Sequence, residues 1–191
     1  MKLKDLFKSE LKKKDFRVTI FGSARIKRGD IEYKEIYKLA AMIGKRKIDL
    51  VSGGGPGIME AASRGHKSTS KKNGAHTIGL GIDLQIEQEI NKYVDIRKKF
   101  KRFSERLDNF MLLSNAIIVG EGGVGTILEL FYAWQLMQVN HICHIPIILF
   151  GKQWAGLLKW LKNEPLKSRF FEKQDLDLLY HARNSKEAMN I

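Results

Sequence analysis

The residues best suited to chemistry cluster between positions 114 and 134, in the run SNAIIVGEGGVGTILELFYAW. Ala116 to Val119 is a short apolar, β-branched run that reads as a buried strand; Gly122, Gly123 and Gly125 free the backbone for a sharp turn; Thr126 is placed to cap a following helix. The first turn of that helix presents unpaired N–H groups and the positive end of a dipole to the loop, which makes an anion site suited to phosphate. Glu129 lies three positions after Thr126, so both project from one helix face at the mouth of the loop. Its neighbours Ile127, Leu128, Leu130 and Phe131 are apolar. A carboxylate among them is costly unless paired or hydrogen-bonded. Two readings follow: a site residue, or an early-turn acid stabilised by the helix dipole.

Arg106 sits on a helix that leads directly into the central strand, so its long side chain is able to reach the same crevice and meet a phosphate or Glu129. The competing reading is a solvated helix face. A second glycine run, Gly53-Gly54-Gly55-Pro56-Gly57, also follows a strand and precedes a helix. In an open parallel sheet the loops at the carboxyl ends of neighbouring strands converge, so both glycine loops are expected to face one ligand. Glu60, just inside the second helix, reads in isolation as a first-turn acid. Neither loop matches the spacing of a dinucleotide fingerprint or continues into a Gly-Lys-Ser/Thr triphosphate loop, so a phosphate monoester is the expected guest.

Those loops need an alternation of strands and helices to hold them, and the chain supplies one. Strands are predicted at 17–21, 48–52, 76–79, 116–119, 146–150 and 176–180, with a short extended piece at 93–96. Helices are predicted at 31–46, from 58, over 98–114, after the central glycine loop, at 154–163 and at 185–191. In the helix over 98–114, Phe100, Phe103, Leu107, Phe110 and Met111 form the apolar side, opposite Arg102, Glu105, Arg106 and Asn109. The expected fold is α/β: a Rossmann-like, doubly wound, mainly parallel sheet of six to seven strands with helices on both faces. Residues 17–191 are expected to form this single domain, and residues 1–16 a basic helical appendage with Leu3, Leu6, Phe7 and Leu11 on one side. Between strands, residues 84–91 form an acidic connection in which Glu87 and Gln88 are candidates to reach the base or ribose.

The 34 Lys and Arg against 21 Asp and Glu give a net charge of +13, which favours anionic ligands. No aromatic ladder interleaves the lysines, so no specific nucleic-acid partner is expected. Cys143 is the sole cysteine, which excludes an internal disulfide and is expected in the core; His66, His76, His141, His144 and His181 lack ligand spacing, so no metal is expected. Without a signal-like core or an apolar run near about 18 residues, no membrane partner is expected and the location is expected to be cytoplasmic. The helix after the central loop is apolar nearly all round, which calls for burial on the sheet and again elsewhere, by a second subunit.

Taken together, Phe21-Gly22-Ser23-Ala24-Arg25, Ser52-Gly53-Gly54-Gly55-Pro56-Gly57-Ile58-Met59-Glu60, Arg64-Gly65, Glu105-Arg106 and Gly122-Gly123-Val124-Gly125-Thr126-Ile127-Leu128-Glu129 resemble the Lonely Guy family. Its members, often labelled lysine decarboxylase-like, include cytokinin riboside 5′-monophosphate phosphoribohydrolases and bacterial AMP nucleosidases. The resemblance runs from about Arg17 to the C-terminus. It implies a homodimer with active sites near the interface that cleaves the N-glycosidic bond of AMP or an N6-modified relative to free base and ribose 5-phosphate, without a cofactor. By the same resemblance Glu129 and Arg106 are the catalytic residues. Gly122, Gly123, Gly125, Thr126, Gly54, Gly55, Glu60 and Ser23 are expected to contact the substrate. Non-catalytic binding or carriage of a nucleotide-derived ligand is the alternative on this fold. True lysine decarboxylation is disfavoured, because nothing marks a Schiff-base lysine. Two positions depart from the family pattern: Glu121 stands where Pro is usual, putting an acid beside the expected phosphate, and Leu107 replaces a common Lys.

Overall fold

The computed structural model describes residues 3–71, 74–83 and 89–191, with side chains of the first helix described from Phe7 onward. Among these, seven strands form one sheet: β1 (Arg17–Phe21), β2 (Asp49–Ser52), β3 (Thr77–Ile82), β4 (Ile96–Phe100), β5 (Ala116–Val119), β6 (Ile147–Phe150) and β7 (Leu179–Ala182). Their order is β4-β3-β2-β1-β5-β6-β7, and every pairing is parallel. The inner strands are short and buried on both faces, with β5 and β6 wholly apolar, as a parallel sheet covered by helices requires.

Alternate strand residues feed two cores. On one face α2 (Ile31–Lys45), α3 (Ile58–Ser70) and α8 (Ser185–Met189) pack Ile36, Leu39, Ile43, Ile58 and Ala188 against Ile20, Leu50 and Ile118. On the other, α1 (Leu3–Glu10), α4 (Phe103–Leu113), α5 (Val124–Gln138), α6 (Trp154–Asn163) and α7 (Lys173–Leu176) pack Phe7, Phe110, Leu130, Trp154 and Leu176 against Phe21, Val51 and Ile117. The chain winds one way from β1 through β2 to β4, then returns to β5 beside β1 and winds the other way. At that reversal the loops after β1 and β5 part toward opposite faces, which opens a crevice at the carboxyl edge of the sheet.

Several expectations are corrected. The segment Ile96–Phe100 is a strand and the helix starts at Phe103; the alternation of Ile96, Lys98 and Phe100 with Arg97 and Lys99 has period two, and the charges suit an edge strand. Phe100 is buried at the end of that strand, whereas Phe103 is largely exposed. The last strand begins at Leu179, because Leu176 closes the short α7, whose capping box joins Glu172 and Asp175. Cys143 is exposed, lying on the connection between α5 and β6.

The N-terminal helix packs on the sheet. Phe7 meets the Phe100 ring edge-on at 6.2 Å, and buried Glu10 receives Arg17 Nη2 on its carbonyl at 2.9 Å. Leu11 is exposed, since the helix ends before it. Among the described residues no helix is long and apolar enough to cross a membrane.

Candidate active site

Arg106 and Glu129 come together across the crevice, Nη1 to Oε1 at 3.3 Å. The α4 turn carrying Arg106 faces inward, so the guanidinium is buried and does not belong to a solvated face. Its Nε donates to the Leu80 carbonyl within β3 (2.7 Å), and its Cζ lies 4.9 Å from the centre of the Phe110 ring. Gly53 makes room for it, because a Cβ there would sit 2.5 Å from Nη2. Part of the second glycine run therefore serves the arginine more than the ligand.

Burial pushes the Glu129 carboxyl up to about 7, against the opposing pull of Arg106. Burial likewise lowers Arg106, with Glu129 resisting. Both directions have one physical origin, since each charge gives up water and only the partner returns part of its solvation. A carboxyl poised near neutrality in a cleft is suited to proton transfer or to meeting a developing cation.

The pair forms one wall of a cavity of about 560 Å³ lined also by Gly22, Ser23, Ala24, Arg25, Met59, Gly123, Val124, Gly125 and Thr126. The first turn of α5 opens onto it. Gly123 is the residue before the helix and Thr126 lies inside its first turn, so the expectation that Thr126 caps the helix is corrected. None of Gly122, Gly123 and Gly125 has a positive φ. A Cβ on Gly123 or Gly125 would meet nothing within 4 Å, so the missing side chains keep the approach to the helix N-terminus clear. Gly122 is required by contact instead, because its Cβ would fall 2.2 Å from Thr126 Oγ1. Thr126 is buried at the cavity wall.

The other expected site residues divide between the cavity and places outside it. Ser23 lines the cavity, its Oγ accepting the Arg25 N–H at 3.1 Å. Gly54 and Gly55 lie outside the lining: their carbonyls accept from Asn91 Nδ2 at 2.9 and 3.1 Å. Glu60 is also outside it, ion-paired with Arg28. Glu121 lines a separate small cavity and turns away from the loop it precedes. Glu87 and Gln88 lie outside the described residues. Arg25 and Met59 also line the cavity, beyond the site residues expected from the sequence. The signal for Arg25 is its place in the first glycine turn, where a cation at the end of a strand next to an anion site is informative.

A family model described as possible lysine decarboxylase matches residues 59–191. The pyrimidine/purine nucleotide 5′-monophosphate nucleosidase of Escherichia coli (strain K12) is 31% identical over 127 residues, covering 63% of this chain. The match spans 28% of that relative's length. Among solved structures, the molybdenum cofactor binding protein from Rippkaea orientalis aligns with a TM-score of 0.69 at 19% identity, over 94% of this chain and 95% of that one. The molybdenum cofactor carrier protein from Chlamydomonas reinhardtii gives 0.68 at 22% identity, over 93% and 95%. DNA processing protein A from Helicobacter pylori gives 0.60 at 16% identity, over 95% and 81%. At these identities the structural matches establish a shared fold.

Proposed function

The chain belongs to the family described as possible lysine decarboxylases, which the Lonely Guy motifs also mark, and we propose on that footing that it hydrolyses the N-glycosidic bond of a nucleoside 5′-monophosphate. The observation that carries the proposal is the Arg106–Glu129 pair beside an open helix N-terminus. Glu129 lies five residues into α5 from Val124, which at the helical rise is roughly 8 Å along the axis. A ribose 5-phosphate spans about that depth, so a phosphate on the Gly123, Val124 and Gly125 amides leaves the anomeric carbon near the carboxylate.

In this reading Arg25 and the Thr126 hydroxyl complete the phosphate grip. Cleavage sends the bonding electron pair to the base nitrogen, which is protonated as it leaves, and positive charge builds on the ribose. The Glu129 carboxylate stabilises that charge and takes a proton from the water that adds to the anomeric carbon. Arg106 holds the carboxylate in place and, through its own charge, limits how far burial raises it. Water adds across the bond, giving free base and ribose 5-phosphate. AMP or an N6-modified AMP is the proposed substrate on the strength of the resemblance, and the pyrimidine/purine nucleosidase relative supports a nucleotide 5′-monophosphate in general. Lysine decarboxylation through pyridoxal phosphate is not supported: no lysine is among the described residues lining the cavity, so the residues present do not fit that cofactor.

A second reading, carriage of a nucleotide-derived ligand without cleavage, is favoured by the likeness to two molybdenum cofactor proteins. Incubation with a panel of nucleoside 5′-monophosphates, followed by chromatography for free base, separates the two. Base release that Glu129→Gln abolishes while nucleotide binding persists supports the hydrolase. Ligand-dependent thermal protection with no base released at high protein concentration supports the carrier.

A further inference from the structure

We propose that Glu121 and Gln153 interlock to hold the phosphate loop in its binding geometry, so that both act as positioning residues for the phosphate. The inference rests on the reading that the first turn of α5 receives that phosphate. The Gln153 side-chain amide takes both backbone groups of Gly122, accepting its N–H on Oε1 at 2.9 Å and donating from Nε2 to its carbonyl at 2.7 Å. Glu121 returns the grip: its Oε1 accepts the N–H groups of Lys152 at 2.7 Å and Gln153 at 3.2 Å, at the start of α6. Each residue therefore fixes the backbone that carries the other.

Neighbouring contacts extend the interlock. The Glu121 carbonyl accepts the Ser23 N–H at 3.0 Å, so the turn after β1 is tied to the same residue. Gly151, at φ +113, lets the acid pass, because a Cβ there would fall 2.7 Å from Glu121 Cγ. Gly151 is itself held by its N–H on the Ala182 carbonyl (3.0 Å). Three segments, after β1, β5 and β6, thus meet at one point immediately beneath the glycines that face the ligand. Glycine-rich backbone loses more conformational freedom on ordering than any other, so hydrogen bonds to it before the ligand arrives lower the cost of binding. The acid whose position beside the expected phosphate argues against binding is in fact turned toward α6, where its charge meets amides.

The test uses ribose 5-phosphate as the probe, titrated calorimetrically, with amide hydrogen exchange over residues 120–126 measured on the same proteins. Gln153→Ala and Glu121→Ala are expected to weaken binding about tenfold and to speed exchange in that segment. Glu121→Gln keeps an acceptor oxygen without the charge and is expected to stay within about twofold of wild type in both measurements. Tighter ribose 5-phosphate binding in Glu121→Gln would mean that the acid repels the phosphate and would overturn the proposal. Unchanged exchange in Gln153→Ala would overturn it as well. If the wild-type chain does not bind ribose 5-phosphate, the functional reading fails, and the exchange rates of the alanine variants still decide whether the interlock exists.

Discussion

Among single residues, Arg106 and Glu129 are proposed to govern what the site does with protons. Glu129 ordinarily titrates near 4.5 and is raised to about 7 by burial. With the carboxylate as the working form in the proposed reaction, kcat/KM is expected to fall as pH drops below about 7 and to level above it, in a pH–rate series with the nucleotide. The same shift has a stability consequence with a defined sign. Between about 4.5 and 7 the folded chain holds a proton that the unfolded chain releases, so stability falls as pH rises through this window. A neutral amide in place of the carboxyl mimics the protonated acid. Glu129→Gln is therefore expected to match wild type below about pH 4.5 and to exceed it by about 3 kcal/mol at about pH 8, measured by denaturant unfolding. Arg25 supports a different prediction. It is exposed at the cavity mouth, with Arg106 already committed to Glu129. Arg25→Ala is expected to raise KM for the nucleotide about tenfold with kcat little changed, and to leave an unphosphorylated nucleoside unaffected.

Among the elements, the two loops on either side of the crevice are held by backbone contacts that only small residues allow. Gly57 adopts φ +66, and a Cβ on it would lie 2.3 Å from the Ser23 carbonyl oxygen, which accepts the Ile58 N–H at 2.9 Å. Gly57→Ala is expected to cost about 1–3 kcal/mol in unfolding free energy and to lower nucleotide affinity as well, because relief of the clash moves the Ser23 turn. An equal loss of stability with unchanged affinity would show that the turn does not set the site. Some elements are easier to read from sequence than others. The α2, α5 and α6 helices and the β5 strand follow from apolar spacing and their glycine boundaries. The β4 strand does not, because Phe100, Phe103, Leu107 and Phe110 mimic a helical period. That spacing overlies the period-two alternation of Ile96 to Phe100, and the pairing with the preceding strand β3 is what assigns Phe100 to an edge strand.

For the molecule as a whole, we propose that α5 meets a second copy of the chain. Leu130, Ala133, Trp134 and Met137 are buried, while Val124 is 85% exposed and Leu128 47%. Those two, with Ile127, extend along α5 from the cavity mouth, and Trp160 and Phe170 add exposed aromatic surface beside the Phe131 groove. An apolar surface of this kind beside a binding cleft favours a homodimer with the sites near its interface. Light scattering at micromolar protein is expected to give twice the mass of 21.9 kDa, and Leu128→Glu to shift the mass toward the monomer. A monomeric mass for the wild-type chain would remove the dimer.

The alternation of strands and helices, and so the doubly wound sheet, can be read from the chain alone, because period and glycine punctuation are local properties. So can the place of Glu129 on a helix face at the mouth of a glycine loop, which follows from a spacing of three. Which charges are buried together is settled only by folding. Arg106 turns inward because Gly53 leaves space and the Leu80 carbonyl offers an acceptor, and neither is near it in sequence. Folding likewise turns Glu121 to α6 and gives Glu60 to Arg28, since a side chain's partner is set by which segments the sheet order brings side by side.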